Sequence, residues 1–442
     1  MNQTTRFPFH LWPLSAHLRR GRLHLGGLDL AEWAAAIGTP VYLYDAATCD
    51  DAIACYRYGL RAWPGSSLLA YAAKAWLNLP AAELLKRRRL GLDVVSQGEL
   101  GMALAAGYDP ALLHLHGNNK SPALLRAASV EGVGAVVVDN LYELDLLEEL
   151  ATALREPLSL WLRLNPNLLA PTHRYRQTGH HGAKFGLSWD EAILAGQRIR
   201  RHARLALTGL HTHIGSQIFD LELMLDAATR LVALAAALVD AGHEPIATLC
   251  PGGGLGQPYH PDDARFDLAE AVKRIASHCA QVWSQYNFGS FPTLVLEPGR
   301  SLVARAGIAL YTVGTVRRLS DGSRIIAVDG SMADNPRPAL YEARYTACLP
   351  AAPLAPLVGP ARIAGPLCES GDVLIEDLHL PEVHPGAILA VPVSGAYQLS
   401  MASNYNATLL PPVYWRDGER LICLQRRQTL ADLLLRDLPL PS

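Results

Sequence analysis

Leu68-Leu69-Ala70-Tyr71-Ala72-Ala73-Lys74 is a short apolar run that stops on a lysine. It lacks the alternation of a half-exposed strand. An unbroken run of this length reads as a strand buried on both faces, and such strands belong to parallel sheets covered by helices. Seven similar runs follow, at residues 92–95, 112–116, 135–138, 158–164, 207–214, 246–250 and 294–296. The stretches between them carry helical spacing, as at 80–89, 141–154 and 224–241. Eight strand–helix units predict a (β/α)8 barrel.

What stands after each run matters as much. Lys74 follows the first; Ser96-Gln97-Gly98-Glu99, Gly117-Asn118-Asn119-Lys120, Asp139-Asn140 and Asn165-Pro166-Asn167 follow the next four. His213 with Gly215-Ser216-Gln217, then Gly252-Gly253-Gly254, then Glu297-Pro298-Gly299-Arg300 complete the set. Polar residues and glycines gather at the C-terminal ends of the strands, the face on which barrel enzymes carry their sites. Turns alone would need glycines there, but not a lysine, a histidine and a glutamate together.

The texture changes after about residue 303. Residues 308–313, 324–328, 387–391 and 420–424 read as strands of an antiparallel unit. Leu23-His24-Leu25 is expected to pair with it. The predicted organisation is α/β: a barrel over 40–303, and a second antiparallel β domain, sandwich or barrel, from 1–39 and 304–442. Residues 350–360 read as a proline-rich loop.

The bulk numbers exclude several classes. A formal net charge of −2 over 442 residues gives no electrostatic case for nucleic acid or an anionic membrane. Lys86-Arg87-Arg88-Arg89 and residues 198–201 are basic clusters at the ends of helix-like stretches, where cations suit the helix dipole. Seven scattered cysteines with no C-x-x-C spacing read as reduced thiols in a cytoplasm rather than disulfides or a zinc site. No metal is expected: His211 and His213 share a strand, but no third ligand is evident. Neither a signal peptide nor a membrane-length apolar run is legible.

The strand-end residues suggest one chemistry. Three successive glycines let the backbone approach an anion, and the loops after strands seven and eight of such barrels are frequent phosphate sites. Ser216 adds a hydroxyl. Glu297 suits a heterocyclic nitrogen, His213 a flat ring, and Lys74 an aldehyde. Those are the contacts that pyridoxal 5'-phosphate requires. Each residue also has a plainer reading: a tight turn for the glycines, a surface arginine in an Asn-Pro-Arg-Pro turn for Arg337, a small buried hydrophobe for Cys368.

Ten stretches settle between these readings. They are YAAKAW around Lys74, DVVSQGEL at Asp93, HGNNKS at His116, THRYRQTGHHGAKFGL at Thr172, GLHTHIGSQI at Gly209, GGGLG at Gly252, EPGRSLVARAG at Glu297, VDGSMADNPRPALY at Val328, CESGD at Cys368 and GAYQLSMASNYN at Gly395. In this order, over about residues 40–406, the chain resembles the diaminopimelate decarboxylase family of the alanine-racemase-like pyridoxal phosphate enzymes. The resemblance implies decarboxylation of meso-2,6-diaminopimelate to L-lysine and CO2, the last step of lysine biosynthesis. It implies Lys74 as the covalent anchor, His213 stacked on the ring and Glu297 on the ring nitrogen. Ser216, Gly252, Gly253, Gly254, Pro298, Gly299, Arg300 and Tyr397 are expected around the cofactor. Arg300, Arg337, Tyr341, Glu369 and Tyr397 are expected on the substrate, and Cys368 as the proton donor to Cα. Cys368 and Glu369 would come from the second subunit of a homodimer with a shared site.

An alternative is a paralogue acting on ornithine, lysine, arginine or a carboxylated polyamine. Arg337 and Tyr341 argue against a cationic tail, and CESGD against the racemase branch. Retention of Lys74, Glu297 and Cys368 argues against a relative that has lost its activity. The chain departs from the usual family pattern at Trp76, Gln97, Thr212 and Pro251. None of these is an expected catalytic group, but Trp76 bears on the pocket near Lys74.

Overall fold

The computed structural model describes residues 7–168 and 184–441. The chain divides into two compact units, Ala52–Gly256 with Arg265–Gly299, and Met1–Asp51 with Gln257–Ala264 and Arg300–Ser442.

The first unit holds eight strands: Ser67–Ala72 (β1), Gly91–Val94 (β2), Leu113–Leu115 (β3), Ala135–Val138 (β4), Leu158–Leu164 (β5), Leu205–Thr212 (β6), Thr248–Cys250 (β7) and Thr293–Leu296 (β8). They close into a barrel. Each pairs in parallel with the next, and β8 returns to β1 through Val295 and Leu68. The eight apolar runs are these eight strands. Ala70, Ala135, Val137, Trp161, Cys250 and Val295 pack the interior, with Leu68 against them.

Many strand-end polar residues begin the next helix. Ser96 accepts from the Glu99 N–H and starts Gln97–Ala105; Asn140 accepts from the Glu143 N–H and starts Leu141–Ala151. Ser188 and Glu191 form a capping box on Trp189–Ile199. Such caps satisfy orphan N–H groups of the first turn and contribute about 1 kcal/mol each. Lys120 is structural too. Its Nζ is buried and donates to the Gly117 and Val137 carbonyls and to Glu143 Oε1, each at 2.7 Å.

The second unit is a mostly antiparallel β unit. Its eight-stranded sheet runs Val373–Leu380, Gly359–Ala364, Arg324–Val328, Gly307–Arg318, Val41–Asp45, Val413–Asp417, Arg420–Gln425, with Ile388–Val391 also on Gly307–Arg318. Two pairings in it are parallel. Here the sequence expectation needs correction at residue 40: Val41–Asp45 lies in this sheet, between Gly307–Arg318 and Val413–Asp417, not in the barrel. Its apolar run precedes the helix Ala46–Leu60 and so imitates a barrel unit. Leu23-His24-Leu25 pairs within a separate three-stranded antiparallel sheet of the same unit. Among the described residues no helix is long and apolar enough to cross a membrane.

Candidate active site

The strands of the barrel bring a set of titratable side chains together: Asp93 from β2, His114 and His116 at β3, Asp139 after β4, Arg163 from β5, His211 from β6, Cys250 from β7 and Glu297 after β8. All are buried. Glu297, 8% exposed, is at the centre. His211 Nε2 lies 2.9 Å from Glu297 Oε2, and the Cys250 thiol donates to Oε1 at 3.1 Å. His116 Nε2 stands 3.4 Å from Glu297 Oε1 and 3.7 Å from Asp93 Oδ1. His114 Nδ1 meets the same Asp93 oxygen at 3.0 Å. Arg163 lies 3.7 Å from Asp139.

The electrostatics divide the histidines. Burial pulls His211 down to about 4, so it serves Glu297 as a neutral donor. Burial also acts against a charged His116, but Glu297 and Asp93 outweigh it and raise it to about 9. Burial raises Glu297, and the two imidazoles more than offset this, holding the carboxyl well below its usual range. Burial keeps the Cys250 thiol protonated.

The mouth residues lie around this set. Lys74 is exposed on the turn Ala73–Ala75 after β1. No acid adjoins it in sequence; Glu99 lies within its electrostatic reach, but burial outweighs the Val95 N–H and the lysine charge and leaves that carboxyl raised. His213 is half-buried; burial and then the Lys74 charge hold it well below 6.5, so it is a neutral flat ring. Its Nδ1 accepts from the Gly253 N–H at 3.4 Å. The glycine run is wedged between neighbouring strand ends. A Cβ on Gly253 would sit 2.0 Å from the Glu297 carbonyl, and Gly252 has φ +79°. Ser216 is half-buried, and Pro298 and Gly299 are buried after β8. Trp76 is buried, its carbonyl accepting from the Tyr71 hydroxyl at 2.9 Å.

A second cluster lies within the β unit. Arg337, 2% exposed, donates to the Tyr345 hydroxyl and stacks 4.3 Å over the Tyr259 ring. Among the described residues no carboxylate pairs with it. Gln398 Nε2 also donates to Tyr345, at 2.9 Å. Arg300 donates to the Tyr259 hydroxyl at 2.8 Å and lies 4.6 Å over the Tyr397 ring. Tyr397 has φ +61°, a left-handed conformation a tyrosine seldom adopts. Tyr341 ends the helix Arg337–Tyr341, and Cys368 and Glu369 are exposed on the turn after Gly359–Ala364.

Sequence reasoning did not single out Asp93, His116, Arg163, Cys250, Tyr259, Tyr345 or Gln398 as site residues. Asp93, His116 and Gln398 stood inside quoted motifs; the others resemble ordinary core or loop positions. Residues 169–183, with His180 and His181, lie outside the described residues.

Buried titratable groups converging on strand ends define a (β/α)8-barrel enzyme. Comparison with known proteins narrows this. Residues 58–304 match the family described as pyridoxal-dependent decarboxylase, pyridoxal binding domain. The chain is 38% identical to diaminopimelate decarboxylase of Bacillus subtilis over 95% of this chain and 96% of that one. It is 41% identical to that of Actinosynnema pretiosum over 97% and 95%. The crystal structure of diaminopimelate decarboxylase from M. jannaschii in complex with L-lysine superposes with a TM-score of 0.88, at 31% identity over 97% and 98% of the two chains. The chain belongs to the pyridoxal-dependent decarboxylases, in their diaminopimelate decarboxylase family. A lysine/ornithine decarboxylase of Vibrio vulnificus, at 22% identity and a TM-score of 0.73, shares the fold.

Proposed function

We propose that the protein decarboxylates meso-2,6-diaminopimelate to L-lysine and CO2, with pyridoxal 5'-phosphate as cofactor, as a cytoplasmic homodimer. The observation that carries the substrate class is Arg337: a buried guanidinium, stacked on tyrosine, with no carboxylate among the described residues. A guanidinium binds a carboxylate through two parallel hydrogen bonds, and the distal carboxylate is what separates diaminopimelate from lysine or ornithine. The L-lysine in the M. jannaschii structure supports the product.

The donor set of the barrel suits the cofactor. Glu297 is ionised and fits a protonated ring nitrogen; neutral His213 fits the face of a ring; Lys74 offers an exposed amine to an aldehyde. Gly252, Gly253, Gly254, Ser216, Pro298, Gly299, Arg300 and Tyr397 are assigned to the phosphate end. When bound, the cofactor supplies the ring that takes up the electron pair left when CO2 departs. The chain's residues do the rest. Glu297 holds the ring-nitrogen proton. Arg337, with Arg300, Tyr341, Tyr397 and Glu369, binds and orients the substrate. Cys368 returns a proton to Cα, so that a C–H bond replaces the broken C–C bond. The exposure of Cys368 and Glu369 supports their contribution to a second subunit's site.

A paralogous decarboxylase of another amino acid is the competing reading. CO2 release from the cofactor-loaded protein, measured with meso-diaminopimelate, L-lysine, L-ornithine and L-arginine, tests the two. Release from diaminopimelate alone is expected. Release from another member with diaminopimelate silent would overturn the assignment and point to Trp76.

A further inference from the structure

Two carboxylates, Asp93 and Glu297, are buried within reach of a single imidazole. His116 Nε2 is 3.7 Å from Asp93 Oδ1 and 3.4 Å from Glu297 Oε1. Both separations exceed a well-formed charged hydrogen bond, so His116 is shared rather than committed to either side. Of the other partners of Glu297, the Cys250 thiol is neutral, and His211, held down to about 4 by burial, donates its Nε2–H and carries charge only at acid pH. Arg163 is the other buried cation of the group; its close neighbour is Asp139 at 3.7 Å, and it acts on Glu297 more weakly than on Asp139. His114 Nδ1 meets the same Asp93 oxygen at 3.0 Å. His116 is therefore the cation placed to compensate Glu297, and Asp93 the anion placed to compensate His116.

We propose that His116 and Asp93 are positioning residues for the decarboxylation. His116 keeps Glu297 ionised and aimed before a ring arrives, and Asp93 retains the His116 charge once the ring nitrogen has taken Glu297 for itself. Asp93, His116 and Glu297 together carry one negative charge in excess, which is what one protonated ring nitrogen neutralises. This rests on the assignment of Glu297 to that nitrogen. Neither residue is assigned a contact with the cofactor; both act through the carboxylate.

The test uses the full-length chain freed of cofactor and labelled with 13C at the glutamate carboxyl carbons, the Glu297 signal being assigned by its loss in Glu297→Gln. In the wild type the carboxyl is expected to stay ionised to below pH 4.5. In His116→Gln burial acts with less opposition, and its titration is expected to rise by about 1–2 pH units. A Glu297 titration unmoved by His116→Gln overturns the proposal. Asp93→Asn gives a second readout that does not depend on that variant folding: the His116 ring titration should fall by about 1 unit or more, and an unchanged titration overturns the role of Asp93. Ring-15N pyridoxal phosphate bound to the wild type separates this from the cofactor assignment. An unprotonated ring nitrogen there would defeat the reading of Glu297, while the cofactor-free titrations still report on His116.

Discussion

Lys74, Glu297 and Arg337 illustrate how unequal the sequence signal is among the residues assigned to cofactor and substrate. Lys74 and Glu297 close strand-like runs, so position alone marked them before any family was considered. Arg337 sat in a turn and read as surface; the structure makes it nearly inaccessible, between Tyr259 and Tyr345. Its partners were illegible because neither stood out in the sequence: Tyr259 comes from a separate segment between barrel elements, and Tyr345 lies just past the helix that carries Arg337. Two predictions belong at this scale. Lys74→Ala should abolish the visible absorbance of the anchored cofactor and lower turnover by roughly a thousandfold or more; retained turnover would defeat the anchoring role. Arg337→Lys keeps the charge but loses the bidentate fork. It should raise KM for diaminopimelate by about 10–100-fold with a smaller effect on kcat, on the order of 1.5–3 kcal/mol for a charged hydrogen bond. Steady-state kinetics read both parameters, and an unchanged KM would remove Arg337 from substrate binding.

The eight barrel strands were legible as elements because each is a local event: an unbroken apolar run, a polar end, then helical spacing. What those polar ends do was not. Ser96, Asn140 and Lys120 cap helices or pair internally, and only part of the strand-end polarity is available for chemistry. In the β unit the strands Gly359–Ala364, Val373–Leu380 and Val413–Asp417 carry mixed burial, so no clean run announces them. Two elements invite measurement. The glycine turn after β7 has no room for a side chain, since a Cβ on Gly253 would overlap the Glu297 carbonyl. Gly253→Ala should lower the melting temperature and cost about 1–3 kcal/mol or more; an unchanged melt would show that the turn can relax.

The turn carrying Asp334 ties two neighbouring strands to the helix of Arg337. Asp334 Oδ2 accepts from the Tyr42 and Tyr311 hydroxyls at 2.9 Å each, and Oδ1 accepts from the Ser331 N–H at 2.7 Å. Burial raises this carboxyl from 3.8 to about 6 against those hydrogen bonds. The folded state then binds the proton more tightly than the unfolded state, so Asp334 opposes folding increasingly as pH rises from about 4 to 6 and by a constant amount above. Glu297 and His211, both lowered, act in the opposite direction over nearby pH. The Asp334 contribution is therefore seen as a difference: relative to Asp334→Asn, the wild type should lose roughly 2–3 kcal/mol between pH 4 and 6. Denaturant midpoints at the two pH values measure it, and parallel pH profiles would contradict it.

At the scale of the whole molecule, the class of architecture was legible while the boundary at residue 40 was not. Val41–Asp45 finds its partners in Gly307–Arg318 and Val413–Asp417, segments that composition near residue 40 cannot announce. Assembly is a question of the same scale. Cys368 and Glu369 stand exposed, and the proposed chemistry needs Cys368 beside a Lys74 that another chain supplies. Lys74→Ala and Cys368→Ala chains would then be inactive or impaired separately but complementary together. In a C2 dimer with shared sites, a mixed dimer has one site carrying both substitutions and one carrying neither. Random exchange of equal amounts makes half the dimers mixed, each with half its sites intact, so activity should recover to about a quarter of wild type. Exchange is verified independently by mass-tagged subunits. Mixed dimers that form and stay at the level of the parents would place Cys368 and Lys74 of the same chain in one site, and the shared-site reading would fail.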